Sequence, residues 1–151
     1  MRDAFKILSI VILCAGILAL GICSAEDVRK PTYYMTGWEH VGYQGQITEI
    51  GVKGDYIIVS GVKVLLVEDF MYEGKKYMTS IKDTKGKDVG AEALGVGKWV
   101  LVWGAGLQGD TIMAKDIKIS SGRLSEKDQM QYFLSLPKWD YGVVKEFAKK
   151  K

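Results

Sequence analysis

Between residues 41 and 119 the chain breaks into short runs in which apolar residues recur at every second position, with glycines between the runs. A period of two sends alternate side chains to opposite faces, so such runs are strands with one buried face. The intervening glycines suit the tight turns and corners of a small β fold. Val41, Tyr43, Gly45 and Ile47 alternate with Gly42, Gln44, Gln46 and Thr48, and Gly45 inside that run predicts a bend or a close backbone approach. Residues 56–59 and 62–67, joined by Ser60-Gly61, read as a tight hairpin. A second hairpin is expected about Glu73-Gly74, with 76–81 as its returning strand and 82–90 as a loop. Residues 99–103 form the strongest strand, which leaves through a glycine-rich connection at 104–110. In the last strand, 111–119, the apolar positions change phase from Ile112 and Ala114 to Ile117 and Ile119. One extra residue near Lys115 produces that change, which predicts a β-bulge.

After Ser120-Ser121-Gly122 the period becomes helical. Ser125 with Asp128 three residues on is a variant of the capping box, and Met130, Phe133 and Leu134 then share a helical face. Pro137 ends that helix. Asp140 caps a second one, with Val143, Val144 and Phe147 on its apolar face.

The amino end has a different character. Arg2 and Lys6 precede an apolar run at 7–22, and Cys23-Ser24-Ala25 resembles a small-residue cleavage site. Residues 1–25 therefore read as a signal peptide, and the protein as exported, periplasmic or extracellular. The alternatives are a membrane anchor over residues 7–25, which as a helix of about 1.5 Å per residue nearly crosses the hydrocarbon core, or lipidation at Cys23. Both cysteines, Cys14 and Cys23, lie in this leader, so the remainder holds no disulfide framework. Of 151 residues, 126 follow Ala25, which suits one domain with a real core. They carry 19 basic and 17 acidic residues, too mild a balance for nucleic-acid binding. Lys149-Lys150-Lys151 reads as a solvated tail.

The order of four segments resembles a known family. They are Gly45-Gln46-Ile47, the Val59-Ser60-Gly61-Val62 hairpin, the stretch 94–104 with its Gly97-Lys98-Trp99-Val100 centre, and 111–117 with Thr111-Ile112-Met113-Ala114. Together they resemble an OB-type β-barrel domain of unknown function common in exported bacterial proteins. The resemblance covers about 41–119 and supplies no catalytic residues. It implies a mainly β chain: residues 26–40 as lead-in, an OB-like barrel over 41–120, and a C-terminal helical extension over 121–151. The segment 69–88 is longer than that pattern expects, and the helices lie outside it.

The chemical motifs are sparse. Gly104, Gly106 and Gly109 spell a dinucleotide fingerprint, but a strand follows them where phosphate binding needs a helix N-terminus, so they read as a hairpin. Gly97-Lys98 lacks the companions of a phosphate loop, with Glu92 where the upstream glycine would stand. His40 is the single histidine, and beside Glu39 it reads as a surface residue. Asp83 and Asp88 match no calcium-loop spacing. Glu68 and Asp69, read as strand neighbours, point to opposite faces. No serine has a base for a triad. Cofactors and metals are accordingly expected to be absent.

Strand 99–103 carries the candidate site. Val100 and Val102 alternate with Trp99, Leu101 and Trp103 and sit where the pattern of the resembled family puts its core, which implies that Trp99, Leu101 and Trp103 take the outer face. That row is either a ligand platform for a sugar, peptide or base, or an apolar face that the two C-terminal helices cover. The expectation from sequence is a non-catalytic binding or structural module of the cell envelope, with an unknown envelope ligand or protein as partner. The alternative is an accessory or weakly hydrolytic enzyme acting on envelope substrates.

Overall fold

Short β-branched runs separated by turn residues form strands here because each buries one face and turns cheaply at its end. The computed structural model describes residues 34–35 and 40–151. The expected signal peptide at 1–25, the alternative anchor at 7–25 and most of the expected lead-in lie outside the described residues. The chain is mainly β, with two helices at its C-terminal end. Strands β1 (Tyr34–Met35), β2 (His40–Ile50), β3 (Tyr56–Val59) and β4 (Val62–Leu65) come first. Then come β5 (Phe70–Tyr72), β6 (Lys75–Tyr77), β7 (Ser80–Lys82), a 3-10 turn (Ala91–Ala93), β8 (Trp99–Leu107) and β9 (Thr111–Ser120). Helices α1 (Glu126–Leu134) and α2 (Tyr141–Lys149) close the chain.

The ladders link into a ring: β2 pairs with β3, β3 with β4, β4 with β9, β9 with β8, and β8 with β2. Only the β4–β9 ladder of the ring is parallel. Each of the five strands sends alternate residues to one core, including Tyr43, Ile57, Val64, Val102 and Ile117. Val100 and Val102 are fully buried there, on the side that the family resemblance implied.

The hairpin between β3 and β4 turns on Ser60 and Gly61, both with positive φ, the backbone of the tight turn whose twist matches the strands it joins. Glu73 and Gly74 repeat it between β5 and β6. Gly45 faces the first of these turns: a Cβ there would lie 2.6 Å from the Ser60 hydroxyl.

Several boundaries differ from the sequence reading. The strand expected at 99–103 continues to Leu107, so Gly104 and Gly106 lie within β8 and only Gly109 is in the turn to β9. The return expected at 76–81 is two strands. β6 pairs only with β5, whereas β7 leaves that hairpin to pair with β9. β4 and β7 share one edge of β9, at 111–113 and 116–118, so the 66–79 excursion interrupts an otherwise continuous edge. Buried Thr79 closes its base: its hydroxyl donates to Ala114 O and accepts from Val67 N–H, both at 2.8 Å. Glu68 and Asp69 belong to this excursion rather than to a strand, and Asp69 pairs with Lys76.

The bulge falls at Lys115. Trp103 faces Asp116 and Gly104 faces Ala114, leaving Lys115 unmatched. The extra residue keeps Ile112, Ala114, Ile117 and Ile119 in the core while turning Met113 and Asp116 outward. Opposite it, a Cβ on Gly104 would stand 2.2 Å from Met113 O, so glycine is the residue this backbone approach admits.

Candidate functional site

Three strands present one continuous outer face. Register sets His40, Gly42 and Gln44 of β2 beside Ala105, Trp103 and Leu101 of β8, and these beside Met113, Asp116 and Lys118 of β9. Left bare, a Trp and a Leu at its centre would form a large apolar patch. Leu101 and Trp103 are instead fully buried, and Trp99 at the end of the row is half-buried.

Helix α1 provides the cover. Ser125 caps it, accepting from Asp128 N–H at 3.2 Å, while its own hydroxyl donates to the Asp128 carboxylate at 2.6 Å. Phe133 stacks on Trp103 with ring centroids 5.7 Å apart and 17° between planes. It can lie that close because Gly42 has no side chain: a Cβ there would be 2.4 Å from the Phe133 ring. The helix is tied at both flanks. On the β2 side, Leu124 N–H donates to Gln44 Oε1 at 2.7 Å and Gln44 Nε2 donates to Leu124 O at 3.4 Å. On the β9 side, the Tyr132 hydroxyl donates to Asp116, which is buried and also takes Lys82 Nζ at 2.6 Å. Burial and the neighbouring carboxylate push the Tyr132 hydroxyl pKa up, so it remains a donor. Met130 and Leu134, expected on the apolar face, are exposed; the buried positions are Gln129 and Phe133, with Tyr132 and Leu136 half-buried. The helix rotates so that Tyr132 meets Asp116, and the residues beyond that contact turn to water.

The segment 135–140 crosses the same face. Pro137 O accepts from Trp103 Nε1 at 3.0 Å, and Trp139 Nε1 donates to Met113 O at 3.1 Å. Trp139 N–H donates to His40 Nε2 at 2.7 Å. His40 is therefore not the surface residue expected from Glu39 beside it; it is 1% exposed, against Trp103 at 5.5 Å between centroids. Its phase with Gly42 and Gln44 was the available signal, since it places His40 on the face that needs cover.

Helix α2, capped by Asp140 accepting from Gly142 N–H at 2.8 Å, covers a second patch. Val143 and Phe147 pack with Leu65, Phe70, Met113 and Trp139, so the two helices divide the outer surface and α2 does not lie over the Trp99–Leu101–Trp103 row. The terminal lysines are exposed, as a solvated tail requires, and make surface contacts: Lys149 pairs with Glu146 at 3.0 Å and Lys150 Nζ sits 5.0 Å from the Phe70 ring centre.

The carboxylate of Asp83 serves the backbone. Asp83 Oδ1 accepts from Lys85 N–H and Lys87 N–H at 2.8 and 2.9 Å, and these bonds, that from Lys87 foremost, lower its pKa. Asp88 pairs with Lys82 through an isolated antiparallel backbone bridge. Among the described residues, no three His, Cys, Asp or Glu side chains cluster to hold a metal, and no helix is long and apolar enough to cross a membrane.

Gly42→Ala tests this site most economically. The new methyl must displace a buried aromatic ring, so a loss of about 1–3 kcal/mol is expected. Pairing it with Phe133→Leu should recover part of that loss in urea unfolding; equal loss with and without the second change would place the clash elsewhere.

Three comparisons, with protein-family models, with curated proteins and with solved structures, return no match to this chain.

Proposed function

We propose that this chain is an exported, non-catalytic binding or structural module built on an OB-type barrel, whose helices seal one half of the outer face and leave the other half for a partner. The ring of ladders with its single parallel pair supports the barrel reading. One observation carries the functional reading: the polar groups with chemical potential on the sealed half are engaged in holding the fold. His40, Gln44 and Asp116 each bond a segment that packs on the sheet, Asp116 through the Tyr132 hydroxyl. Along β2 beyond Gln44 the outer face opens to solvent, and Tyr56 of β3 lies at the edge of the cluster that α2 covers. Gln46 and Thr48 of β2 and Lys63 of β4 are exposed, and Ile58 and Tyr56 of β3 are half-buried, with Lys63 Nζ 4.6 Å from the Tyr56 ring centre. An aromatic edge beside a cation and two short polar groups suits a polar chain such as a glycan or an extended peptide.

Glycan and peptide arrays probed with the full chain test this reading. Binding that falls at least tenfold in Lys63→Ala, with stability retained, supports it. Binding to neither array, or binding indifferent to Lys63, overturns the assigned face. Intact mass of the protein recovered from the cell envelope tests export: loss of residues 1–25 is expected, and a full-length mass would favour the anchor.

A further inference from the structure

We propose that His40 is an acid-sensitive latch: its neutral ring holds segment 135–140 on the sheet, and protonation releases that segment together with the helices on either side of it.

The geometry requires the neutral ring. Trp139 N–H donates to His40 Nε2 at 2.7 Å, so Nε2 must offer its lone pair. A proton on Nε2 removes the acceptor and sets two N–H groups against each other. The ring is buried, and among the described residues its Nδ1 has no hydrogen-bond partner. Among the described residues, the charged groups that bear on it are Lys138, from the segment itself, and Lys115, from the β9 bulge. Both repel an imidazolium. β8 presents uncharged Trp103 and Ala105, and Asp116, next in β9, is already paired with Lys82. The Trp103 face offers some cation–π attraction, too little to offset burial beside two ammonium groups. Burial, reinforced by Lys138 and then Lys115, lowers the His40 pKa to about 4.

The latch sits where both helices meet the sheet. Trp139 packs with Val143 and Phe147 of α2, while Trp103, which touches the His40 ring, carries Phe133 of α1. Losing the Trp139 bond therefore loosens both covers and opens the Leu101–Trp103 row. The sign follows from linkage. The unfolded histidine titrates near 6.5 and the folded one near 4, so the latched form is fully favoured above pH 6.5 and loses that advantage progressively down to pH 4.

His40 is the single histidine in the chain, so its ring carbon signal is unambiguous by NMR. The test follows that signal in the full chain from pH 7.5 to 3.5, together with the Trp139 backbone and indole N–H signals. The expected result is a ring midpoint near 4, with the Trp139 signals moving in step. Trp139 exchange with solvent, corrected for its intrinsic pH dependence, should quicken at least tenfold, while the Val102 amide stays protected. His40→Gln keeps an acceptor at the Nε2 position without titrating there, and should abolish the step. A ring midpoint near 6.5, Trp139 signals that move at a different pH, or an undiminished step in His40→Gln would overturn the proposal. If His40→Gln does not fold, agreement or disagreement of the two wild-type midpoints still decides.

Discussion

Trp103→Ala is expected to lower stability by about 3–5 kcal/mol, the usual cost of emptying a fully buried aromatic site. The indole does three things at once. It fills the centre of the outer face, supports the stacked Phe133 ring, and donates Nε1–H to Pro137 O. The adjacent His40 ring would lose its neighbour as well. Because Phe133 and Pro137 belong to the cover, and His40 of β2 holds Trp139 of the cover, the damage should concentrate there. Urea unfolding with hydrogen exchange is the measurement. Amides of α1 and segment 135–140 should lose protection first, while β8 and β9 hold until global unfolding. A loss under about 1 kcal/mol would mean that the indole does not lie in a packed seam.

Val102→Asp is expected to cost more, and to damage a different part of the molecule. Val102 points to the other side of β8, into the core that the five ring strands share, and is fully buried. An aspartate there must either ionise without a partner or remain protonated, and both cost several kcal/mol. That is comparable with the whole stability of a small domain, so the variant should be largely unfolded at neutral pH. Val102→Ala, which only opens a cavity, should stay folded with a loss of about 1–3 kcal/mol. Circular dichroism and urea titration separate the two variants. A folded Val102→Asp with near-native stability would mean that the phase of β8 is reversed.

Neighbouring positions on one strand thus fail in distinguishable ways, and the sequence alone supplied that distinction. Alternation along 99–103 separated the valines from Trp99, Leu101 and Trp103 without any knowledge of what lies above them. The phase change around Lys115 located the bulge, because a half-buried strand cannot switch faces without an extra residue. Ser125 and Asp140 marked both helix starts, since capping is a bond within three residues of chain. These features are local: each is decided by residues a few positions apart.

What the tertiary structure alone decided is which face met which partner. Helical spacing grouped Met130 with Phe133 and Leu134, but the cover buries Phe133 and Gln129 and leaves the other two in water. That rotation is set by Asp116 and Gln44, the latter 80 positions before its partner Leu124. Within segment 69–88 the Glu73-Gly74 hairpin was legible, but the segment's role as a detour from the edge of β9 depends on parallel pairing that carries no local signal. His40 is the clearest case. Its nearest neighbour in sequence, Glu39, suggested water, while its partner Trp139 lies 99 positions away. Local periodicity fixes which side chains travel together, because backbone geometry has short memory. Burial of a polar side chain depends on a partner that only the folded chain brings within hydrogen-bond reach.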